Sequence, residues 1–334
     1  MPASGAKGGA GNDGGRNAHN REDGFALVVV LAVLSLLALA AIVLQKTVVA
    51  ELSVTSHLTG RARAEALADG LTRLAVRHLA INAPNGRSGL FRLDGAPLTC
   101  RAGSSFASLS FTNTDGQINL NLASQTMLER ILQGAGLAPA EATRMAQDII
   151  DFRTTGDQSI TGGRKLDAYS QAGLRHGPKS ALFQSVGELR QVVGMTPQLF
   201  ERLRPLLTVH SRFGAINPGA VSLPVARALL GEQAAAQDLD VLQSRLNLPP
   251  EFTYIPRTRG TGPTSSNTYL VRVAVKMGTA RFTREAIVEL TATPNGDATI
   301  RSWSERDPDP AGIEPAATED TPACIGDVLW LDPA

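Results

Sequence analysis

The chain has 334 residues, and its 32 Lys and Arg nearly cancel its 31 Asp and Glu, leaving a net charge of +1. So even a balance provides no broad basic surface, which argues against nucleic acid as the main partner. The length allows one large or two modest domains beyond any targeting segment.

Residues 1–23 are polar and rich in glycine, with too few apolar side chains to offset the entropy of ordering, so no folded structure is expected of them. From Phe25 to Leu44 the chain carries no charge and a single hydroxyl, Ser35. About twenty apolar residues at the helical rise cross the ~30 Å hydrocarbon core of a bilayer. Lys7, Arg16 and Arg21 precede the run and Lys46 follows it, which places the N-terminus in the cytoplasm and the bulk of the chain outside. Three readings compete. A secretory signal would be cut after Ala38-Leu39-Ala40, yet the apolar run continues past that site. A plain single-span anchor satisfies length alone. A prepilin-type leader, cut after Gly24 to leave Phe25 as the new N-terminus, also explains why the helical pattern runs on.

That continuation places Leu52, Leu58, Leu67, Leu71 and Leu74 among Glu51, Arg61, Arg63, Glu65 and Arg73. Ala64, Leu67, Leu71, Leu74 and His78 follow a helical period and form one apolar stripe. The helix is expected to end near Asn82-Ala-Pro84-Asn-Gly86. His78 has no His or Cys one turn away, so it reads as a packing residue and not as a metal ligand.

Beyond the helix, Leu90–Leu93, Pro97–Arg101 and Ser105–Thr112 read as strands, with Asp94-Gly95 as a hairpin turn. Tyr269–Val275, Arg281–Thr293 and Ala298–Trp303 alternate apolar with polar and read as a meander. Residues 118–248 between these groups are helical in pattern. The predicted fold is therefore α+β: a long N-terminal helix and an antiparallel sheet with a large helical domain inserted in it. The two cysteines, Cys100 and Cys324, fall on the exported side and have only each other to pair with, so a disulfide is predicted.

The insert contains a weak repeat. Ile118-Asn119 precedes Ser124 as Ile216-Asn217 precedes Ser222, each Ser marking a helix start. Leu132-Gln-Gly134-Ala-Gly136-Leu-Ala-Pro139 and Val192-Val-Gly194-Met-Thr-Pro197 resemble helix-hairpin-helix turns. In DNA-binding versions the glycine amides hold a phosphate, so a membrane-anchored DNA-binding or DNA-uptake component is the alternative function. No Lys or Arg lies in the first turn, which favours a packing role. No Gly-x-Ser-x-Gly, His-Glu-x-x-His or Gly-Lys-Ser/Thr motif is present, and the five histidines are scattered, so no enzyme is expected.

Taken together, Gly24-Phe25, Ile118-Asn-Leu-Asn121 with Ala123, Asp148-Ile-Ile-Asp151-Phe152, Phe183-Gln-Ser-Val-Gly-Glu188-Leu-Arg190, Val193-Gly194-Met195-Thr-Pro197, Ile216-Asn217-Pro218 and a last strand ending at Trp303 resemble the K-type minor pseudopilins of the type II secretion system, the GspK family. The resemblance implies a leader (1–24), a membrane part (25–44) and a periplasmic part (45–82) of one helix, first strands (86–117), a helical insert (118–248), closing strands (249–303) and an acidic, Pro-rich tail (304–334). It implies cleavage by prepilin peptidase, N-methylation of Phe25, and an inner-membrane protein with a single span in contact with membrane lipid. The implied function is non-enzymatic: capping the pseudopilus tip and initiating its assembly with the I- and J-type minor pseudopilins, with Leu52, Leu58, Leu67, Leu71 and Leu74 packing on partner helices. Other pseudopilins carry Glu as the fifth mature residue, and the K type lacks it. Here that position is Val29. The resemblance also implies calcium, for which Asp148, Asp151, Asp157 and Asp167 are the candidate ligands. Arg153-Thr-Thr-Gly156 and Gly163-Arg-Lys-Leu166 lack the further carboxylates expected there, against the six to eight oxygens calcium takes.

Overall fold

The computed structural model describes residues 19–82, 92–230, 267–291, 297–306 and 321–329, with side chains in the first helix described at 27–42 and from 58 onward. The leader before residue 19, the side chains of Gly24, Phe25 and Leu52, residues 231–248 of the expected insert and most of the expected tail lie outside the described residues. In chain order the elements are α1 (His19–Asn82), β1 (Leu98–Ala102), β2 (Ser105–Asn113), β3 (Ile118–Asn119), α2 (Gln125–Gly134), α3 (Pro139–Arg153), α4 (Lys165–Gln171), α5 (Pro197–Leu203), β4 (Leu207–Thr208), α6 (Leu223–Leu230), β5 (Thr268–Met277), β6 (Ala280–Leu290) and β7 (Ala298–Arg306).

The chain divides into two compact units, Met1–Thr59 and Gly60–Ala334. In the first, the described side chains 27–42 are all exposed, Val29 among them at 44% and Leu36 at 66%. Among the described residues no helix is long and apolar enough to cross a membrane. Those residues take in only part of the Phe25–Leu44 run, whose ends lie outside the described side chains.

The second unit is built on a five-stranded antiparallel sheet in the order β1-β2-β5-β6-β7. Strand alternation puts Ala107, Leu109 and Phe111 of β2, Val271, Val273 and Val275 of β5, and Ala286 and Val288 of β6 into one core. The α1 side of that core is Ala64, Ala68, Leu71, Ala75 and Leu79, spaced by four, three, four and four residues along one helical face. Alanines let the helix backbone approach the sheet closely. Arg284 of β6, only 6% exposed, anchors the contact. Its Nε donates to Asp69 Oδ1 at 2.6 Å and its Nη2 to Glu65 Oε1 at 3.0 Å. The guanidinium also lies 4.8 Å from the Phe282 ring centre and 5.3 Å from that of Trp303.

Two details differ from the sequence reading. Leu71, expected to face partner helices, is 1% exposed and packs on the chain's own sheet, while Leu67 and Leu74 lie partly buried at the edge of that core. The helical face is centred on alanines, which weigh little in a leucine-based pattern. The expected Asp94-Gly95 hairpin turn is a local fold instead: Asp94 takes Arg92 Nε at 2.5 Å and Ala96 N at 2.8 Å, and Gly95 N donates to Phe111 O at 2.8 Å. The β1–β2 hairpin turns at Gly103-Ser104, where Gly103 has φ +61°.

Cys100 of β1 and Cys324 are joined by a disulfide across 224 residues of chain. The tail is also hydrogen-bonded to β1, Arg101 N donating to Pro322 O at 2.8 Å and Cys324 N to Arg101 O at 2.8 Å. Closing so long a loop restricts the unfolded chain. Replacing both cysteines by Ser is expected to cost about 2–4 kcal/mol in chemical denaturation; an unchanged midpoint would show that the backbone pairing alone secures the tail.

Candidate functional site

Helices α2 to α6 all lie in sequence between β2 and β5, and they enclose their own apolar core, including Ile118, Leu128, Ile131, Phe152, Phe200 and Leu203. The asparagines of Ile118-Asn-Leu-Asn121 serve as backbone brackets. Asn119 Oδ1 accepts from Asn121 N at 2.7 Å, and its Nδ2 donates to Ser211 O at 2.5 Å. Asn121 and Phe183 exchange two bonds, Nδ2 to the carbonyl at 2.9 Å and the Phe183 amide to Oδ1 at 2.7 Å. Motif and distant loop are thereby tied.

The repeat is half kept. Ser124 caps α2, accepting from Met127 N at 3.2 Å, whereas the Ser222 hydroxyl before α6 is buried without a hydrogen-bond partner among the described residues. Gly134 closes the first hairpin-like turn because a Cβ there would sit 2.0 Å from the Ala228 carbonyl oxygen. The amides of that turn are already used: Ala135 N donates to Ile131 O, Gly136 N to Gln133 O and Leu137 N to Leu132 O. In the second turn Met195 N donates to Val192 O, and Thr196 Oγ1 caps α5 through Leu199 N. These bonds leave those amides no part in a phosphate cradle. The segment before this second turn is a 3-10 turn, Val186–Gln191, and not a full helix.

The calcium candidates are not gathered. Among the described residues no three His, Cys, Asp or Glu side chains are placed to hold a metal. Asp151 already accepts from Ser159 Oγ at 2.5 Å and Ile160 N at 3.0 Å. Asp157 and Asp167 are exposed. Asp148, one turn before Asp151 on α3, is pushed up to about 6 by burial, with the Asp151 charge adding and Arg144 opposing. Burial likewise pushes Tyr169 up to about 12, with both aspartates adding. A hard divalent cation needs more free oxygens than this donor set presents.

A cleft of about 1090 Å³ opens between the helical portion and the sheet, lined in part by Arg190, Phe200, Arg204, Arg272 and Arg306. Its carboxylates are paired: Glu285 with Arg272 and Arg306 at 2.7 Å each, Asp94 with Arg92 at 2.5 Å and Glu305 with Arg61 at 2.6 Å.

On α1 the exposed positions of the second unit include Ala62, Ala66 and Gly70, four residues apart, with nothing within 4 Å of a Cβ built on Gly70. In the first unit Leu58 is 64% exposed. The leucine pattern did not single out the small residues, and a search for small side chains at helical spacing would have found them.

Residues 107–212 match the family model described as type II secretion system (T2SS), protein K. That match bears out the K-type resemblance. The protein K match runs from β2 past β4 and contains the Ile118–Asn121, Asp148–Phe152 and Val193–Pro197 motifs. No curated protein sequence matches the chain. Among solved structures, the GspK-GspI-GspJ complex from the enterotoxigenic Escherichia coli type 2 secretion system aligns at 14% identity, covering 78% of this chain and 99% of that chain with a TM-score of 0.49.

The raised Asp148 has a definite pH consequence. A carboxylate whose folded pKa lies above its unfolded value of about 3.8 weakens the fold as pH rises from that value through about 6. Asp148→Asn is expected to stabilise the protein at pH 8 and to leave it unchanged at pH 3.5. Solvent screening of a half-buried group limits the gain to about 1 kcal/mol. Denaturation at the two pH values measures the difference.

Proposed function

We propose that this chain is a K-type minor pseudopilin that caps the tip of the type II secretion pseudopilus and helps initiate its assembly for protein export. The observation that carries this reading is the match of residues 107–212 to protein K. Prepilin peptidase removes residues 1–24, and Phe25 becomes the N-methylated first residue. Residues 25–44 then hold the protein in the inner membrane as a single span, with the bulk in the periplasm. The apolar side chains exposed along 27–42 support a lipid or helix environment for that segment. Val29 supports the tip position: a carboxylate in the bilayer needs a partner, and a terminal subunit without one has no neighbour above to receive.

The I- and J-type minor pseudopilins are the proposed partners. In the second unit the small residues Ala62, Ala66 and Gly70 are among the exposed α1 positions proposed to meet them, and in the first unit Leu58 is another. Leu71 serves the fold of this chain instead. No catalytic role is assigned, and the internally bonded turn amides give no support to a DNA-binding alternative.

Mass and N-terminal sequence of the protein from cells with and without prepilin peptidase test the processing. A peptidase-dependent start at methylated Phe25 is expected; a start near Ala41 or an uncut leader would sink the prepilin reading. For assembly, Leu58→Asp and Ala66→Asp are expected to reduce co-purification with the I- and J-type subunits while leaving the thermal midpoint intact. Leu71→Asp is expected to unfold the protein by removing a buried leucine and burying a charge, at a cost of about 4 kcal/mol or more. Undiminished co-purification in both exposed-face variants would move the partner surface elsewhere.

A further inference from the structure

The loop between α3 and α4 folds on itself through Ser159 N to Gly163 O at 3.0 Å and Gly162 N to Ser159 O at 3.1 Å. Gly162 and Gly163 have φ of +91° and +79°, conformations that side chains rarely adopt. Three cations of the chain sit at its ends, Arg153, Lys165 and the exposed Arg164 beside it. Arg153 donates from Nη1 to Leu120 O, and from Nη2 to Ala123 O at 2.7 Å. Lys165, 3% exposed, donates from its amide to Asp157 O at 2.9 Å and from Nζ to Thr154 O at 2.5 Å. Asp151, 8% exposed, has both oxygens occupied by groups of the same loop.

We propose that Lys165 is the built-in cation of this loop, and that the loop closes on it without a divalent ion. Backbone carbonyls and a buried carboxylate are what calcium would draw inward, at six to eight oxygens in all. Here the Thr154 carbonyl faces an ammonium, and the carboxylate is met by a hydroxyl and an amide. An ammonium is a compact point charge with three donors on a flexible stem, and here it reaches the Thr154 carbonyl while the amide of the same residue takes the Asp157 carbonyl. A divalent ion entering the same loop would meet that buried positive charge and be repelled. Where the K-type resemblance implies an acidic loop, this chain places Lys165 against the Thr154 carbonyl. One covalently fixed charge does the work of a diffusible one.

The test uses the full chain in detergent. Thermal midpoint and amide hydrogen exchange at Ile160, Gly162 and Lys165 are measured with calcium chloride and with EDTA, for the wild type and for Lys165→Met. Wild-type values are expected to be the same in both solutions. Lys165→Met is expected to lower the midpoint by about 4 °C and to speed exchange at the three amides, because the Thr154 carbonyl loses its partner. Slower exchange or a higher midpoint with calcium in the wild type would overturn the proposal, as would unchanged loop exchange in Lys165→Met. Should that variant fail to accumulate, the wild-type comparison between calcium and EDTA decides alone.

Discussion

The close seat of α1 on the sheet is the constraint from which the rest follows. Ala64, Ala68 and Ala75 remove bulk where helix and strands meet, and Leu71 and Leu79 fill the space they leave. A buried arginine then sets the position, since Arg284 has two carboxylates of the helix and two aromatic rings around it. Arg284 is buried while Glu65 and Asp69 keep part of their surface in solvent, so removing the carboxylates strands the arginine's charge. With α1 committed on this side, the opposite side of the helix stays exposed, with Arg63, Ala66, Gly70, Arg73 and Arg77 on it.

What the sequence made legible tracks how local the determining physics is. The strands β5, β6 and β7 were readable within a few residues because period-two alternation is imposed by the pleat itself. Ser124 as a helix cap was readable for the same reason, one side chain bonding one amide three residues on. Two cysteines allow one pairing, so Cys100 and Cys324 needed no geometry. Where side chains compete over long range, the pattern misled. Leu71 and Leu74 look alike in a helical repeat, and only the sheet decides that one is covered and the other lies at its edge. Asp94-Gly95 has the composition of a hairpin turn, yet the Asp94 carboxylate prefers Arg92 and the Ala96 amide and folds the chain locally.

The same distinction explains the candidate sites. Four aspartates spaced along the chain suggested a metal, but whether carboxylates converge is a property of loops, and this loop spends Asp151 on its own backbone. The hairpin-like turns show the converse. Gly134 has a role that needs no phosphate, because a Cβ there would keep α2 from reaching the α6 backbone.

The place where the helical portion joins the sheet has a further consequence. β2 and β5 are immediate neighbours, Asn113 standing opposite Tyr269, so the chain leaves the sheet and re-enters it within one strand spacing of about 5 Å. Thr114 Oγ1 bonds Thr268 O at 3.0 Å across that gap. To the sheet, everything from Thr114 to Asn267 is one overgrown hairpin loop. Entropy of loop closure grows only with the logarithm of length, so strand pairing hardly registers how much protein hangs from those two ends. Such an attachment makes the helical portion an exchangeable module: it can enlarge, shrink or acquire a new surface while the scaffold that seats α1 keeps its shape.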